Sequence, residues 1–196
     1  MPGASGARAS RTRQGSSVAL ARRGSDLVVY VADSEERAIV VVDAATRAVA
    51  SVPVEGAPEQ ILVLDDGRVL VTIADADRVE VYEPVGALGL VERCARPVAA
   101  GPFGVAVSED DRTVVVTSAW AAALSVLDAD DMALRRAVSV PRAPRGVLLE
   151  AERAFVSHLA GSAVSVVDLD DGKVRRVGLE LRAASAVATQ ANLETY

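Results

Sequence analysis

From residue 17 onward the chain is built of short apolar runs broken by clusters of Asp, Gly, Pro and Ser. In Val164-Ser165-Val166 the two valines share one side of an extended strand and Ser165 takes the other, a period of two that a helix cannot use. Such runs come in pairs, four times over. Val28-Val29-Tyr30-Val31-Ala32 is followed by Ile39-Val40-Val41-Val42-Asp43, and Val69-Leu70-Val71-Thr72 by Val79-Glu80-Val81-Tyr82-Glu83. Val114-Val115-Val116-Thr117 precedes Leu124-Ser125-Val126-Leu127-Asp128, and Ala154-Phe155-Val156-Ser157 precedes Val164-Ser165-Val166-Val167-Asp168. In each pair a small residue (Ala32, Thr72, Thr117, Ser157) stands 11 positions before an acid, and the acids recur at intervals of 40, 45 and 40 residues.

Another short apolar run precedes each pair (Ser17–Leu20, Gln60–Leu64, Gly104–Val107, Gly146–Leu149), three of them behind a proline (Pro58, Pro102, Pro144), and a fourth follows each acid. The unit is therefore four short strands joined by tight turns, which is the blade period of a β-propeller. Asp65-Asp66-Gly67, Glu109-Asp110-Asp111 and Asp170-Asp171-Gly172 fall where hairpins must reverse. A parallel sheet would need helices between strands, and no stretch combines caps with a helical apolar period; Trp120–Leu124 is too short to nucleate one. The expected fold is all-β, a propeller of about four four-stranded blades over 17–56, 57–100, 101–142 and 143–182, behind a flexible basic tail over 1–16. Ala183–Ala188 aligns with Ala143–Leu148 and reads either as a fifth inner strand or, with the Ala-rich stretch to Leu193, as a C-terminal helix. A closed ring of four has no place for a fifth inner strand. The expectation is thus a partial propeller, truncated or completed by self-association.

The pattern Pro-x-x-aliphatic-x-aliphatic, then Val-x-Val-Thr, then aliphatic-x-Val-x-Asp, resembles the YVTN-type repeats of bacterial surface and periplasmic propellers. Leu27–Asp33 and Ala38–Asp43 carry it best, and the likeness runs over roughly residues 17–190. It specifies a fold more than a function: similar propellers include lactonases, the non-catalytic propellers of haem and copper enzymes, and bare binding modules. The chain departs from the seven-bladed norm of that family by offering four repeats. The resemblance implies a periplasmic or cell-surface location, while residues 1–25 hold no apolar run long enough for a secretory signal.

Composition narrows the function classes. Of 196 residues 51% are apolar and 3% aromatic, so the core is aliphatic. The formal charge is −6, and because residues 1–25 carry five Arg and no acid, the rest of the chain stands at −11. An acidic body argues against a nucleic-acid groove. No apolar run approaches the roughly 18 residues of a membrane-spanning helix. One His and one Cys exclude a disulfide framework and a Cys/His zinc site within the chain, and no cofactor is expected. Cys94 reads as an outer-strand bystander. Asp128–Asp131 and Asp168–Gly172 read as turn residues rather than calcium ligands, since neither has the glycine and distal glutamate of an EF-hand loop.

The loops leading into the blades and the mid-blade loops of a propeller share one face. They gather Glu59, Gln60, Asp75, Phe103, Trp120, Arg145 and His158, which include the single Trp and the single His. Aromatic and arginine side chains are the usual anchors of binding surfaces. The expected function is a non-catalytic module recognising a protein or polymer through this loop face. The alternatives are a lactonase-like hydrolase using Glu59 or Asp75 around a divalent metal, and a truncated propeller without independent function.

Overall fold

A strand with a period of two has two apolar faces when the even and odd positions are both aliphatic, and such a sheet must be covered on both sides. The computed structural model describes residues 13–179 and satisfies this by stacking four antiparallel sheets. Blade 1 is β2 (Val18–Arg23), β3 (Asp26–Asp33), β4 (Ala38–Asp43) and β5 (Val49–Pro53); blade 2 is β6 (Pro58–Val63), β7 (Val69–Ile73), β8 (Arg78–Val85) and β9 (Gly89–Pro97). Blade 3 is β10 (Pro102–Val107), β11 (Thr113–Ser118), β12 (Ala123–Asp128) and β13 (Leu134–Ser139); blade 4 is β14 (Pro144–Glu150), β15 (Arg153–His158), β16 (Ala163–Asp168) and β17 (Val174–Gly178). Within each blade the strands follow chain order from the inner to the outer edge.

Each blade turns one face to its predecessor and the other to its successor. Val28, Tyr30, Ile39 and Val41 of blade 1 pack on Ile61, Val71, Ile73 and Tyr82 of blade 2. Leu62, Leu70 and Val81 on the far side of blade 2 meet Val105, Val114 and Val116 of blade 3. Ala106, Val115 and Val126 then meet Val147, Ala154 and Val156 of blade 4. No core cluster among the described residues joins blade 4 to blade 1, so the four blades form an arc rather than a closed ring.

The recurring acids and hydroxyls have distinct jobs. Asp43, Asp128 and Asp168 each accept backbone N–H groups from the turn that follows (Ala45 and Thr46; Asp130; Asp170 and Asp171), which closes the hairpin to the outer strand. Glu83 departs from this: blade 2 has a longer hairpin there, and Glu83 pairs with Arg93 across it. The hydroxyls bridge blades. Thr72 accepts from Gln60 N–H at 3.0 Å and donates to the carbonyl of Phe103 in blade 3 at 2.8 Å. Thr117 accepts from Gly104 N–H at 2.9 Å and donates to the carbonyl of Arg145 in blade 4 at 2.5 Å. Ala32 has no hydroxyl and makes no such bridge.

The prolines open β6, β10 and β14, where the missing N–H costs nothing. In each, the ladder shifts register between the proline and the third residue on (Pro58/Ile61, Pro102/Val105, Pro144/Val147). Gly104 sits in one of these bulges, where a Cβ would overlap the carbonyl oxygen of Arg145.

The folded part begins before residue 17, which corrects the expected tail. Strand β1 (Arg13–Gln14) pairs with the inner strand of blade 3, Arg13 opposite Val107 and Gln14 opposite Ala106. Gly15 N–H donates to Val105, and Ser16 bridges Ile61 of blade 2. Arg13 anchors the segment through the Val63 carbonyl at 2.9 Å, Asp65 at 2.8 Å, and Asp111. This segment is held by backbone bonds and one ion-pair cluster, so it shows no apolar alternation. Residues 183–196, read as a strand or a helix, lie outside the described residues, as does most of the tail.

Thr117→Val is expected to lower stability by about 1–3 kcal/mol, because it keeps the shape and leaves the Gly104 N–H and Arg145 carbonyl without their buried partner. Thr117→Ser is expected to cost less. Urea unfolding of the two variants against wild type checks the order.

Candidate functional site at the channel mouth

The three bulged lead-in turns place one residue each, Glu59, Phe103 and Arg145, immediately after the proline at the loop end of an inner strand. Ser16 holds the equivalent position before β2, at the end of the segment that runs along the inner strands of blades 3 and 2. These residues stand at the loop end of the inner strands along the arc, the channel mouth. The Arg145 guanidinium lies over the Phe103 ring, 4.3 Å from its centre, a cation–π contact between adjacent blades. Glu59 is half-buried; burial pushes its carboxyl above the usual carboxylate range, Arg145 opposes that shift, and Asp75 adds to it. An acid, an aromatic ring and a guanidinium thus share one electrostatic neighbourhood.

Trp120 lies in the mid-blade turn of blade 3 and is 70% exposed. Its indole lies over Gly101, where φ is +70° and a Cβ would come within 2.7 Å of the ring, so the glycine is required both for the turn and for the indole. Leu159 in the corresponding turn of blade 4 is 73% exposed. Two neighbouring blades therefore present large apolar side chains on the loop face.

The remaining predicted residues are occupied in holding blades together. Gln60 Oε1 accepts from Val105 N–H at 3.2 Å, tying blade 2 to blade 3. Asp75 uses both oxygens, one for Ala57 N–H at 2.7 Å and the other for Arg37 of blade 1 at 2.9 Å. His158 is fixed from both sides, Nδ1 at 3.2 Å from the Arg142 carbonyl and Nε2 at 2.8 Å from Ser165 Oγ. Because a carbonyl can only accept, Nδ1 donates to Arg142, and Nε2 is taken up by the Ser165 hydroxyl, so both ring nitrogens are engaged. The structure thus brings Glu59, Phe103 and Arg145 together, seats Trp120 on Gly101 in the turn that leads to Phe103, and places Gln60, Asp75 and His158 as structural links.

A buried charged cluster escaped the sequence reading. Glu80, whose side chain is 1% exposed, pairs with Arg78 at 2.5 Å and accepts from the Tyr82 hydroxyl at 2.5 Å, between blades 1 and 2. The signal was a glutamate in a run of valines at a core-facing position. Burial and the carboxylate beside it hold the Tyr82 hydroxyl far above its ordinary pKa, so it stays protonated. Among the described residues no three His, Cys, Asp or Glu side chains converge to hold a metal ion, and no helix is long and apolar enough to cross a membrane. Cys94 is half-buried and packs against the core between blades 2 and 3.

No protein-family model matches the chain, and no curated protein matches it in sequence. Solved structures do. Virginiamycin B lyase from Staphylococcus aureus superposes with a TM-score of 0.68 at 11% identity, over 86% of this chain and 60% of the lyase. Kuenenia stuttgartiensis hydrazine synthase gives 0.64 at 23% identity, over 80% of this chain and 48% of that one. A chain of a nidogen/laminin complex gives 0.62 at 13% identity, over 77% and 59%. The neighbours are β-propeller proteins, some enzymes and some binding proteins, and the likeness establishes the blade arrangement of a propeller. This chain spans about half to three fifths of their length.

Two variants are expected to show opposite pH signatures. Glu59 has a raised pKa, so its ionised form costs stability; Glu59→Gln should melt above wild type at neutral pH, the gain vanishing as pH falls through the raised pKa. Asp128 has its pKa lowered from 3.8, chiefly by the Asp130 backbone N–H and then by Arg135, so its stability contribution is present above that value and lost below it. Asp128→Asn should melt below wild type at neutral pH, the gap closing in acid. Thermal melts between pH 3 and pH 8, a span of about one unit below and four above an ordinary carboxylate pKa, check both signs.

Proposed function

We propose that this chain is a non-catalytic binding module that takes a protein or polymer ligand across the channel mouth. The observation that carries the reading is the Arg145–Phe103 stack beside half-buried Glu59, with exposed Trp120 on the same face. Stacked guanidinium and indole groups bury large area at low entropic cost, which is what an anchor must do. The chemistry needed for turnover is scarce: the serine–imidazole pair that the described strands do form, Ser165 with His158, has its hydroxyl fully buried and both imidazole nitrogens engaged.

The hydrolase reading rests on Glu59 and Asp75 as metal ligands. Asp75 already serves Arg37 and Ala57, and Glu59 beside Arg145 has a cation where a metal would compete. The binding reading therefore leads. The YVTN-like repeat pattern supports it through the bare binding modules of that family.

The single Trp provides a reporter at the site. Peptide and glycan arrays probed with the chain should yield a ligand whose titration shifts Trp120 emission to shorter wavelength, and Arg145→Ala should weaken it at least tenfold, or about 1.4 kcal/mol. A ligand that binds with unchanged emission and tolerates Arg145→Ala would place recognition elsewhere. Lactone hydrolysis abolished by a chelator and by Glu59→Ala would establish the hydrolase instead.

A further inference from the structure

The two ends of the arc are the two halves of a blade interface. The face of blade 4 that has no successor among the described residues carries Leu148, Phe155 and Val166, cross-strand partners in one row, with Val164 and Val177 paired beside them. These occupy the register positions of Leu62, Leu70 and Val81 in blade 2 and of Ala106, Val115 and Val126 in blade 3, all of which pack on the next blade. The face of blade 1 that has no predecessor carries the row Val18, Val31 and Val40 and the row Leu20, Val29, Val42 and Val49. The first row matches Ile61 and Val71 of blade 2, and Val105 and Val116 of blade 3, which receive the preceding blade. Here the same positions stand in water: Val18 is 47% exposed, Leu20 62%, Val49 62% and Leu148 45%.

We infer that blade 4 of one copy docks on blade 1 of a second copy, so that two chains close a ring of eight blades. That number is at the upper end of the usual range of about four to eight. The polar contacts that accompany the internal junctions have their donors waiting. Ser157 holds the position of Thr72 and Thr117, accepts from Gly146 N–H in the same way, and, with no successor carbonyl among the described residues, turns its hydrogen back to the Gly146 carbonyl at 3.3 Å. Its target by register is the carbonyl of Ser16 in the second copy, which already accepts from Ile61 N–H and has a second lone pair free. Arg136 of blade 3 donates to the Asp170 carbonyl in the hairpin turn of blade 4, and Arg175 stands at the same register with its side exposed. Its target is the corresponding turn of blade 1, at the carbonyl of Ala45.

Strand β1 favours a wide ring over a tight one. It lies in the channel along the inner strands of blades 3 and 2, and a strand needs about 4.8 Å of lateral room beside its partner. A four-bladed closure brings four inner strands together around that same space. The contact is head-to-tail, and such interfaces either close or grow into filaments; two copies related by a two-fold axis close it with two identical junctions. The ring would carry the channel-mouth residues twice. The inference stands independently of what binds there.

Light scattering after size exclusion of the full 196-residue chain tests it. Leu20→Glu and Leu148→Glu alter side chains already exposed in the single chain, so each variant should keep the wild-type circular-dichroism spectrum. Wild type is expected at twice the chain mass. Each variant alone is expected as a monomer, because every junction contains one damaged face. An equimolar mixture of the two is expected to give a dimer weaker than wild type, since one of its two junctions joins the intact blade 4 of one variant to the intact blade 1 of the other while the second junction carries both glutamates. A wild-type monomer across a dilution series overturns the inference. So does a dimer that survives in either variant alone, which would mean an interface elsewhere or a symmetric one. If wild type is monomeric and Leu148→Glu lowers its melting temperature, the face is covered by the chain's own residues 183–188, which likewise overturns it.

Discussion

A buried threonine hydroxyl that accepts from its own inner strand and donates to the next blade fixes how these sheets stack. Apolar packing alone is permissive: valine faces slide on valine faces at little cost, and an aliphatic core with 3% aromatic residues has few large side chains to lock a register. The Thr72 and Thr117 bridges remove that freedom at the channel end of each junction. They act at full strength because Thr72 and Thr117 are wholly buried, where an unmade hydrogen bond is costly. The junction between blades 1 and 2, which has Ala32 instead, relies on Arg37 and Asp75 reaching across; buried Glu80, Arg78 and Tyr82 pair with one another within β8 of blade 2.

The same bridges position the candidate site. The carbonyls that Thr72 and Thr117 hold belong to Phe103 and Arg145, so the hydroxyls that set the blade spacing also set the separation of the ring and the guanidinium that stack upon it. Register shifts behind the prolines turn these residues out of the ladder toward the channel mouth. Glu59 enters the same group from blade 2, partly buried and facing the field of Arg145. A surface built this way is rigid, which suits recognition by pre-organised anchors.

Much of the fold was legible in the sequence because a propeller blade repeats: the eleven-residue interval from Thr117 to Asp128 is the end of one strand, a tight turn and the whole of the next strand, and it recurs. The acids at Asp128 and Asp168 were read as turn formers, and their carboxylates accept backbone N–H groups; Asp43, read only as the recurring acid of the repeat, does the same. The lead-in prolines marked where Glu59, Phe103 and Arg145 would converge. What could not be read was occupancy. Asp75, Gln60 and His158 looked as available as Arg145, and only their partners in neighbouring strands show that they are committed. Strand β1 was invisible for a related reason: Gln14 and Gly15 are held by backbone bonds, which leave no trace in side-chain pattern.

The central claim is that hydroxyl bridges lock each blade to the next, and amide hydrogen exchange on the intact chain tests it most directly. The Gln60 and Gly104 amides donate to Thr72 and Thr117 within bulges, outside the regular ladder. Exchange of both as slow as that of core amides such as Val115, opened only by global unfolding, is the expected result. Exchange at the rate of exposed turn amides would contradict the account, because it would mean that Thr72 and Thr117 are not held at the inner strands from which they bridge, and that apolar stacking alone sets the arc.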